Sequence, residues 1–272
     1  MPHARSGQIS LYYEDTGAGP PVLFVHELAS DLRQWRGQVE ALAPRFRCIA
    51  YNARGYPPSD VPAGDAAYGW ERFSADIGAV MDHLGLSSAI LVGWSMGAYA
   101  ALQFARLHPQ RVRGLVVVGV GSGSGSPPAE QDGFRTQMRE LAQAWEAEPA
   151  QAATSMAESV GRQPLKRRDP QAFAAWLADL EIHSPQGMAL TCANYQGRRP
   201  SLEDFEAGFA RLAAPVLLVL GEEDEPCIAA THWLAGVIPN AELVVLPGGG
   251  HAPMLEDPAG FNRLLESFLE RL

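Results

Sequence analysis

Three observations predict an α/β protein built on a mostly parallel, doubly wound sheet. First, short apolar runs of strand length alternate with longer segments of helical periodicity from Val22 to Val120. Unbroken apolar runs suit strands buried on both faces, and strand–helix alternation is the signature of a parallel sheet. Second, the run Ala89-Ile90-Leu91-Val92 passes through Gly93-Trp94-Ser95-Met96-Gly97 directly into Ala98–Leu107, which is rich in alanine and in apolar residues at helical spacing. That is a strand, a tight turn and a helix in sequence. Third, the alternation stops at Gly121-Ser122-Gly123-Ser124-Gly125-Ser126-Pro127-Pro128, and strand signals resume only beyond Ser201.

The elements follow in order. Residues 1–15 read as a β-hairpin turning at Ser6-Gly7, with Ile9, Leu11 and Tyr13 on one face. Gly17-Ala18-Gly19-Pro20-Pro21 breaks the chain before the buried strand Val22–Val25. His26–Ser30 is a loop, and Asp31 or Ser30 stands where a cap for the helix Leu32–Ala43 is needed. Phe46–Tyr51 is a strand, and a helix covers about 71–84. After the strand–turn–helix unit, Val112–Val120 is the next strand. The Gly/Ser-rich stretch beyond it carries no core-forming residue and reads as a hinge.

Between this hinge and Gln196 the segments Asp132–Ala147, Ala150–Ser159, Pro170–Leu180 and Pro185–Tyr195 have helical character. They read as a helical cap inserted after a core strand. Their apolar residues Phe134, Met138, Trp145, Met156, Phe173, Trp176 and Met188 are expected mainly to hold the cap together, with a few lining a pocket. The chain thus divides into a first core part (1–125), a cap (126–200) and a second core part (201–272). Ser201-Leu202-Glu203-Asp204 starts a capped helix, Pro215–Leu220 and Ala241–Leu246 are the last strands, and Pro258–Leu272 is the closing helix.

Composition narrows the function. Hydrophobic residues make up 47% and charged residues 19% of the chain, enough for a substantial core. The balance of 21 basic against 31 acidic residues, a formal charge of −10, disfavours nucleic acid and anionic membrane as partners. No apolar window reaches the roughly 18 residues of a membrane span, and Met1–Gln8 has no apolar secretory core, so a cytoplasmic location is expected. Cys48, Cys192 and Cys227 form no Cys-x-x-Cys pair, so neither a metal nor a redox site is expected. Cys48 reads as a buried thiol and Cys227 as a partly exposed one.

The chemistry converges on the turn. Glycines two before and two after Ser95 remove the side chains that would clash where a strand folds sharply back into a helix. The turn lifts the Ser95 hydroxyl from the sheet and aims the Met96 N–H at the same point. A serine hydroxyl needs an imidazole to take its proton, and the imidazole needs a carboxylate to hold its tautomer. Gly221-Glu222-Glu223-Asp224-Glu225 follows one late strand, and the glycine-rich loop carrying His251 follows the next. Both loops fall at the carboxyl edge of the sheet, where such folds bind ligands. The order Ser95, Asp224, His251 is the one this architecture uses. From the residues alone, Glu222, Glu223 and Glu225 remain rivals of Asp224. Of the seven histidines, His3, His83, His108 and His232 read as surface or packing residues. His183 stands out as the one in the cap.

Taken together, the His26 loop, Arg54-Gly55, Gly93–Gly97, Gly221-x-x-Asp224 and His251-x-Pro253 resemble the α/β-hydrolase fold superfamily, of the serine esterase and lactonase type with a helical cap. The resemblance runs over nearly the whole chain. It implies Ser95, Asp224 and His251 as catalytic residues, backbone N–H groups of Leu28 and Met96 as the oxyanion hole, and no cofactor or metal. It also implies a structural role for His26. Two positions depart from the family pattern. Glu27 stands where the family has glycine, which restricts the loop backbone and brings a negative charge toward a site that stabilises one. Glu27 either points away, held by polar neighbours, or acts on substrate or water as an acid or base, or orders the loop; Trp94 is a second candidate for substrate contact. Asn52 stands where aspartate is usual, in a loop whose role is structural.

The expected function is hydrolysis of a small or medium carboxylic ester, lactone or thioester through a Ser-His-Asp triad and an acyl-enzyme. The alternative is a C–C bond hydrolase or lyase, or a cofactor-free oxygenase or perhydrolase, on the same fold. A non-catalytic ligand receptor is disfavoured because all three triad candidates are present. The partner is a small-molecule substrate, and the chain is expected to be a monomer or homodimer.

Overall fold

The computed structural model describes residues 2–125 and 127–272. An eight-stranded sheet with strand order β1-β2-β4-β3-β5-β6-β7-β8 forms its centre. The hairpin of β1 (His3–Ser6) and β2 (Ile9–Thr16) turns through Gly7 and Gln8, one residue later than the sequence suggests, because Gly7 takes the positive φ of 61°. Both β1–β2 and β2–β4 are antiparallel. The strands β3 (Pro21–Val25), β4 (Arg47–Tyr51), β5 (Ala89–Trp94), β6 (Val112–Val118), β7 (Val216–Gly221) and β8 (Ala241–Leu246) pair in parallel. β5 and β7 are buried along their whole length, as their unbroken apolar sequences require. The edge strand β8 is half-buried.

Helices cover both faces of the sheet. The stretch expected to be one helix after Asp31 is a 3₁₀ turn (Leu32–Trp35) followed by α1 (Arg36–Leu42), and the Asp31 carboxylate accepts the Arg33 N–H as its cap. α2 (Trp70–His83) packs on α3 (Met96–Leu107).

Between β6 and β7 the described residues hold no strand. The chain forms α4 (Pro128–Ala147), α5 (Pro149–Ala157), a 3₁₀ turn (Val160–Arg162), α6 (Gln163–Arg168), α7 (Pro170–Glu181), α8 (Pro185–Leu190) and a π-helical turn (Thr191–Gln196). A short α9 (Glu206–Phe209) leads back to β7. The chain then forms α10 (Glu225–Val237), which no sequence signal had marked, and ends in α11 (Pro253–Glu256) and α12 (Pro258–Leu269), which packs on α1. The helical moment of α10 is weak because its apolar residues are spread around it, and this hid it in the sequence.

The Gly/Ser stretch is not an open hinge over its described part. A Cβ on Gly123 would lie 2.5 Å from Phe134, and one on Gly125 would lie 2.6 Å from the Ala230 nitrogen, so the glycines pack closely. Ser124 Oγ accepts the Leu202 N–H at 3.1 Å. Ser126 lies outside the described residues. β6 ends at Val118, earlier than expected, because Gly119 turns away with φ 53°.

The parallel order β3-β5-β6-β7-β8 has a direct consequence. The loops after these strands carry Glu27, Ser95, Gly119, Asp224 and His251, and all emerge at one edge of the sheet.

Candidate active site

Ser95 begins at the end of β5 with φ 52° and ψ −111°, and it is the one described non-glycine residue with positive φ. Such a conformation costs an L-residue about 1–3 kcal/mol and persists only where its surroundings enforce it. Here the Ser95 N–H is held by Val118 of the neighbouring strand at 2.8 Å. A Cβ on Gly93 would lie 2.6 Å from the Ala98 Cα, and a Cβ on Gly97 would run into the carbonyl oxygens of Val25 and His26. The two glycines therefore let the turn press against the end of β3, which brings the Met96 N–H beside the loop that follows His26.

That loop is oriented by His26. Its Nδ1–H donates to the Glu27 carbonyl at 2.7 Å, and its Nε2 accepts the Ala53 N–H at 2.9 Å. Burial pushes its pKa down to about 4, so the ring stays neutral and can accept. Across a trans peptide the Glu27 carbonyl and the Leu28 N–H point in opposite directions. Fixing one therefore aims the other. Leu28 and Met96 both line the cavity that holds Ser95, and neither N–H has an acceptor among the described residues.

His251 lies on the loop after β8. Its Nδ1–H donates to Asp224 Oδ2 at 2.8 Å, its N–H to the Gly161 carbonyl at 2.9 Å, and its carbonyl accepts the Trp94 Nε1–H at 2.6 Å. Glu256 clamps the same loop by accepting the Gly250 and Ala252 N–H groups at 2.7 and 3.0 Å. Asp224 is 1% exposed, and of the four acids on its loop it alone reaches the imidazole. Glu222 accepts the Gly248 N–H, Glu223 pairs with Arg167, and Glu225 is exposed.

Glu27 is 2% exposed and faces inward. One oxygen pairs with Arg162; the other stands 3.5 Å from His251 Nε2. Burial alone would push this carboxyl up, but Arg162 and His251 outweigh it and hold it below the usual carboxylate range. For His251, burial alone would lower the pKa, but Asp224 first, then Cys227 and Glu27, raise it well above the ordinary histidine value. The Arg162 guanidinium lies between the faces of Trp94 and Trp176, at 5.0 and 4.5 Å from their centroids.

Ser95, His251, Asp224, Glu27, Leu28 and Met96 all line one cavity of about 640 Å³, within the usual ligand-site range of about 300–1,000 Å³. Asp224, Cys227 and His251 place one donor atom each within 4.8 Å of one another. Divalent-metal ligation there would need a thiolate, yet burial pushes the Cys227 thiol up, and the His251 Nδ1–H is committed to Asp224.

The family model described as alpha/beta hydrolase fold matches residues 20–258. The chain belongs to the α/β-hydrolase family. It is 30% identical to a protein of Azorhizobium caulinodans named "Putative carbamate hydrolase RutD", over 98% of each chain. Among solved structures it resembles Est816, described as an N-acyl homoserine lactone degrading enzyme, with a TM-score of 0.82 and 30% identity over 98% of this chain and 100% of that one. It also resembles a thermophilic esterase from Thermogutta terrifontis, with a TM-score of 0.87 and 27% identity over 98% and 96% of the two chains. This α/β hydrolase is accordingly an enzyme of the hydrolase class.

Two expectations about this α/β hydrolase are corrected. Trp94 does not line the cavity; it is fully buried, and its indole N–H supports the His251 loop from behind. Cys227 is fully buried, not partly exposed, because the unforeseen helix α10 turns it inward. Of the apolar residues between β6 and β7, Phe134, Met138 and Met156 line the cavity, while Trp145, Phe173, Trp176 and Met188 pack elsewhere. His183 also lies away from the cavity, its Nδ1–H on the Asp179 carbonyl and its ring against Tyr56. Asn52 is structural, accepting the Leu32 N–H and donating to the Pro57 carbonyl.

Gly161, Arg162 and Tyr195 had no sequence signal as site residues, and Trp176 had one only as an apolar residue of the helical segment, yet each ties that segment to a loop at the cavity. Trp176 donates to the Ala29 carbonyl at 3.0 Å, and Tyr195 to the Met96 carbonyl at 2.7 Å. A buried glutamate demands a cation, but no spacing rule selects Arg162 among the arginines available.

Proposed function

We propose that this α/β hydrolase cleaves a small or medium carboxylic ester, lactone or thioester through an acyl-enzyme on Ser95. The observation that carries the reading is the strained Ser95 turn opening into the same cavity as the His251–Asp224 pair, joined at 2.8 Å. Ser95 Oγ attacks the substrate carbonyl while His251 Nε2 takes the hydroxyl proton. The developing oxyanion is held by the Leu28 and Met96 N–H groups, the first aimed by His26 and the second by the Ser95 turn. His251 passes its proton to the leaving group; it then draws one from water, which hydrolyses the acyl-enzyme. Asp224 keeps the imidazole in the tautomer with Nδ1 protonated and stabilises its charged form. Residues 126–200 act as a cap that supplies Phe134, Met138 and Met156 as apolar walls.

Glu27 gives this site a particular resting state. His251 Nε2 faces the Glu27 carboxylate at 3.5 Å, and no hydrogen bond joins it to Ser95 among the described residues. Substrate entry and a small turn of the imidazole bring Nε2 to the serine. Catalytic hydrogen bonds are commonly loose before substrate binds.

Turnover of p-nitrophenyl esters from acetate to decanoate tests the reading. A rate that peaks at one acyl length and falls by about 10⁴-fold or more in Ser95→Ala is the expected result. Undiminished turnover in Ser95→Ala would refute the assignment of the nucleophile.

A further inference from the structure

The cavity wall holds a second cation that the proposed chemistry does not use. Arg199 follows the π-helical turn and is 7% exposed. Its guanidinium lies over the rings of both Tyr99 and Phe134, at 4.7 and 5.1 Å from the ring centroids. Its Nε–H donates to Gln196 Oε1 at 2.8 Å, and its Nη2 to the Ser122 carbonyl. Nη1 has no protein acceptor among the described residues, and no carboxylate pairs with the group.

The other charges of the cavity are matched internally. Glu27 is met by Arg162, and Asp224 by His251. Glu140 lines the cavity too, but from an exposed position. Among the described residues of the cavity, Arg199 alone is a buried charge left without a counter-charge, which proteins seldom tolerate unless a ligand supplies it. Its immobilisation by two rings and two neutral acceptors orients the fork without neutralising it. That is the arrangement for recognising a planar anion. Tyr99 lies one helical turn beyond Ser95, its N–H on the Ser95 carbonyl at 3.0 Å, so Arg199 flanks the nucleophile's own helix.

We propose that Arg199, with Gln196 beside it, binds a free carboxylate carried by the substrate, so that the preferred acyl compound is a monoanionic half-ester or its lactone or thioester equivalent. This deepens the reading of the site as an acyl hydrolase and rests on it for the nature of the reacting bond. The carboxylate recognition itself is read by binding, independently of turnover.

The test uses the full chain carrying Ser95→Ala and isothermal titration with monoethyl and diethyl esters of succinate, glutarate and adipate. The expected result is that at least one half-ester binds about 10- to 100-fold more tightly than its diester, the range of one charge-assisted hydrogen bond. Adding Arg199→Met should abolish that preference, and Arg199→Lys should retain part of it. Equal affinity for half-ester and diester throughout, or no binding of either, overturns the proposal. So does a preference that survives Arg199→Met. If Arg199→Met does not fold, the half-ester/diester comparison and the lysine variant still decide. Ester turnover by the unsubstituted chain, measured alongside, reports separately on Ser95: its absence with the binding preference intact refutes the nucleophile and leaves the carboxylate site standing.

Discussion

The pairing of His251 with carboxylates on both ring nitrogens has a consequence for pH dependence. Asp224 holds Nδ1 and Glu27 faces Nε2, while Arg162 draws Glu27 the other way. In the proposed mechanism His251 is the general base and must be neutral, whereas the charged imidazole is the form these carboxylates favour. The acid limb of kcat/KM should therefore lie above the ordinary histidine value of about 6.5. Glu27→Gln removes one of the charges that raise His251, so the limb should move toward lower pH. A pH profile of both proteins checks this; a limb that stays in place or moves upward would show that Glu27 does not act on the imidazole. Glu27 itself was legible in the sequence as an oddity, since a glutamate replaces a glycine in the loop. Its direction was not, because that depended on Arg162, which is 135 residues away in the chain.

Among the elements, the 3₁₀ turn Val160–Arg162 joins the helical segment to the sheet edge at two points. Its Gly161 carbonyl accepts the His251 N–H, and a Cβ at Gly161 would lie 3.0 Å from the His251 Cβ. Its Arg162 forms the buried pair with Glu27. Removing one member of a buried pair strands the other charge, at a cost of about 3–5 kcal/mol. Arg162→Met should accordingly lower the melting temperature by on the order of 10 °C, at about 2–4 °C per kcal/mol for chains somewhat shorter than this one. The double variant Glu27→Gln/Arg162→Met should lose less than the two single variants summed. Additive losses in a thermal double-mutant cycle would mean the pair is not coupled. A gentler change at the same turn, Gly161→Ala, should lower turnover more than stability, because the neighbour that must give way is the His251 loop. Equal losses in kcat and in folding stability would place its effect in the fold instead.

At the scale of the whole molecule, the sheet was the most readable part. Buried parallel strands need apolar runs on both faces, so β3, β5, β6 and β7 were written in the sequence. Ser95, His251 and an acid of the Gly221 loop could be nominated because loops after parallel strands meet at one edge, and the family resemblance pointed to Asp224 among the acids. The choice among four neighbouring acids became a geometric observation only with the loop in place, where Asp224 alone reaches the imidazole. What stayed hidden depends on contacts between distant segments: the apolar, weakly amphipathic α10, the packed glycines of 121–125, and the three arginine, tryptophan and tyrosine ties from the helical segment. Local patterning carries no record of such contacts.

In the proposed reaction Ser95 is the nucleophile of this cavity. Intact-mass analysis after treatment with a fluorophosphonate tests it directly, with Ser95→Ala as the paired sample. One adduct per chain on the unsubstituted protein, absent from Ser95→Ala and slowed by His251→Ala, is the predicted result. A chain that takes up no adduct, or one whose labelling persists in Ser95→Ala, would contradict it.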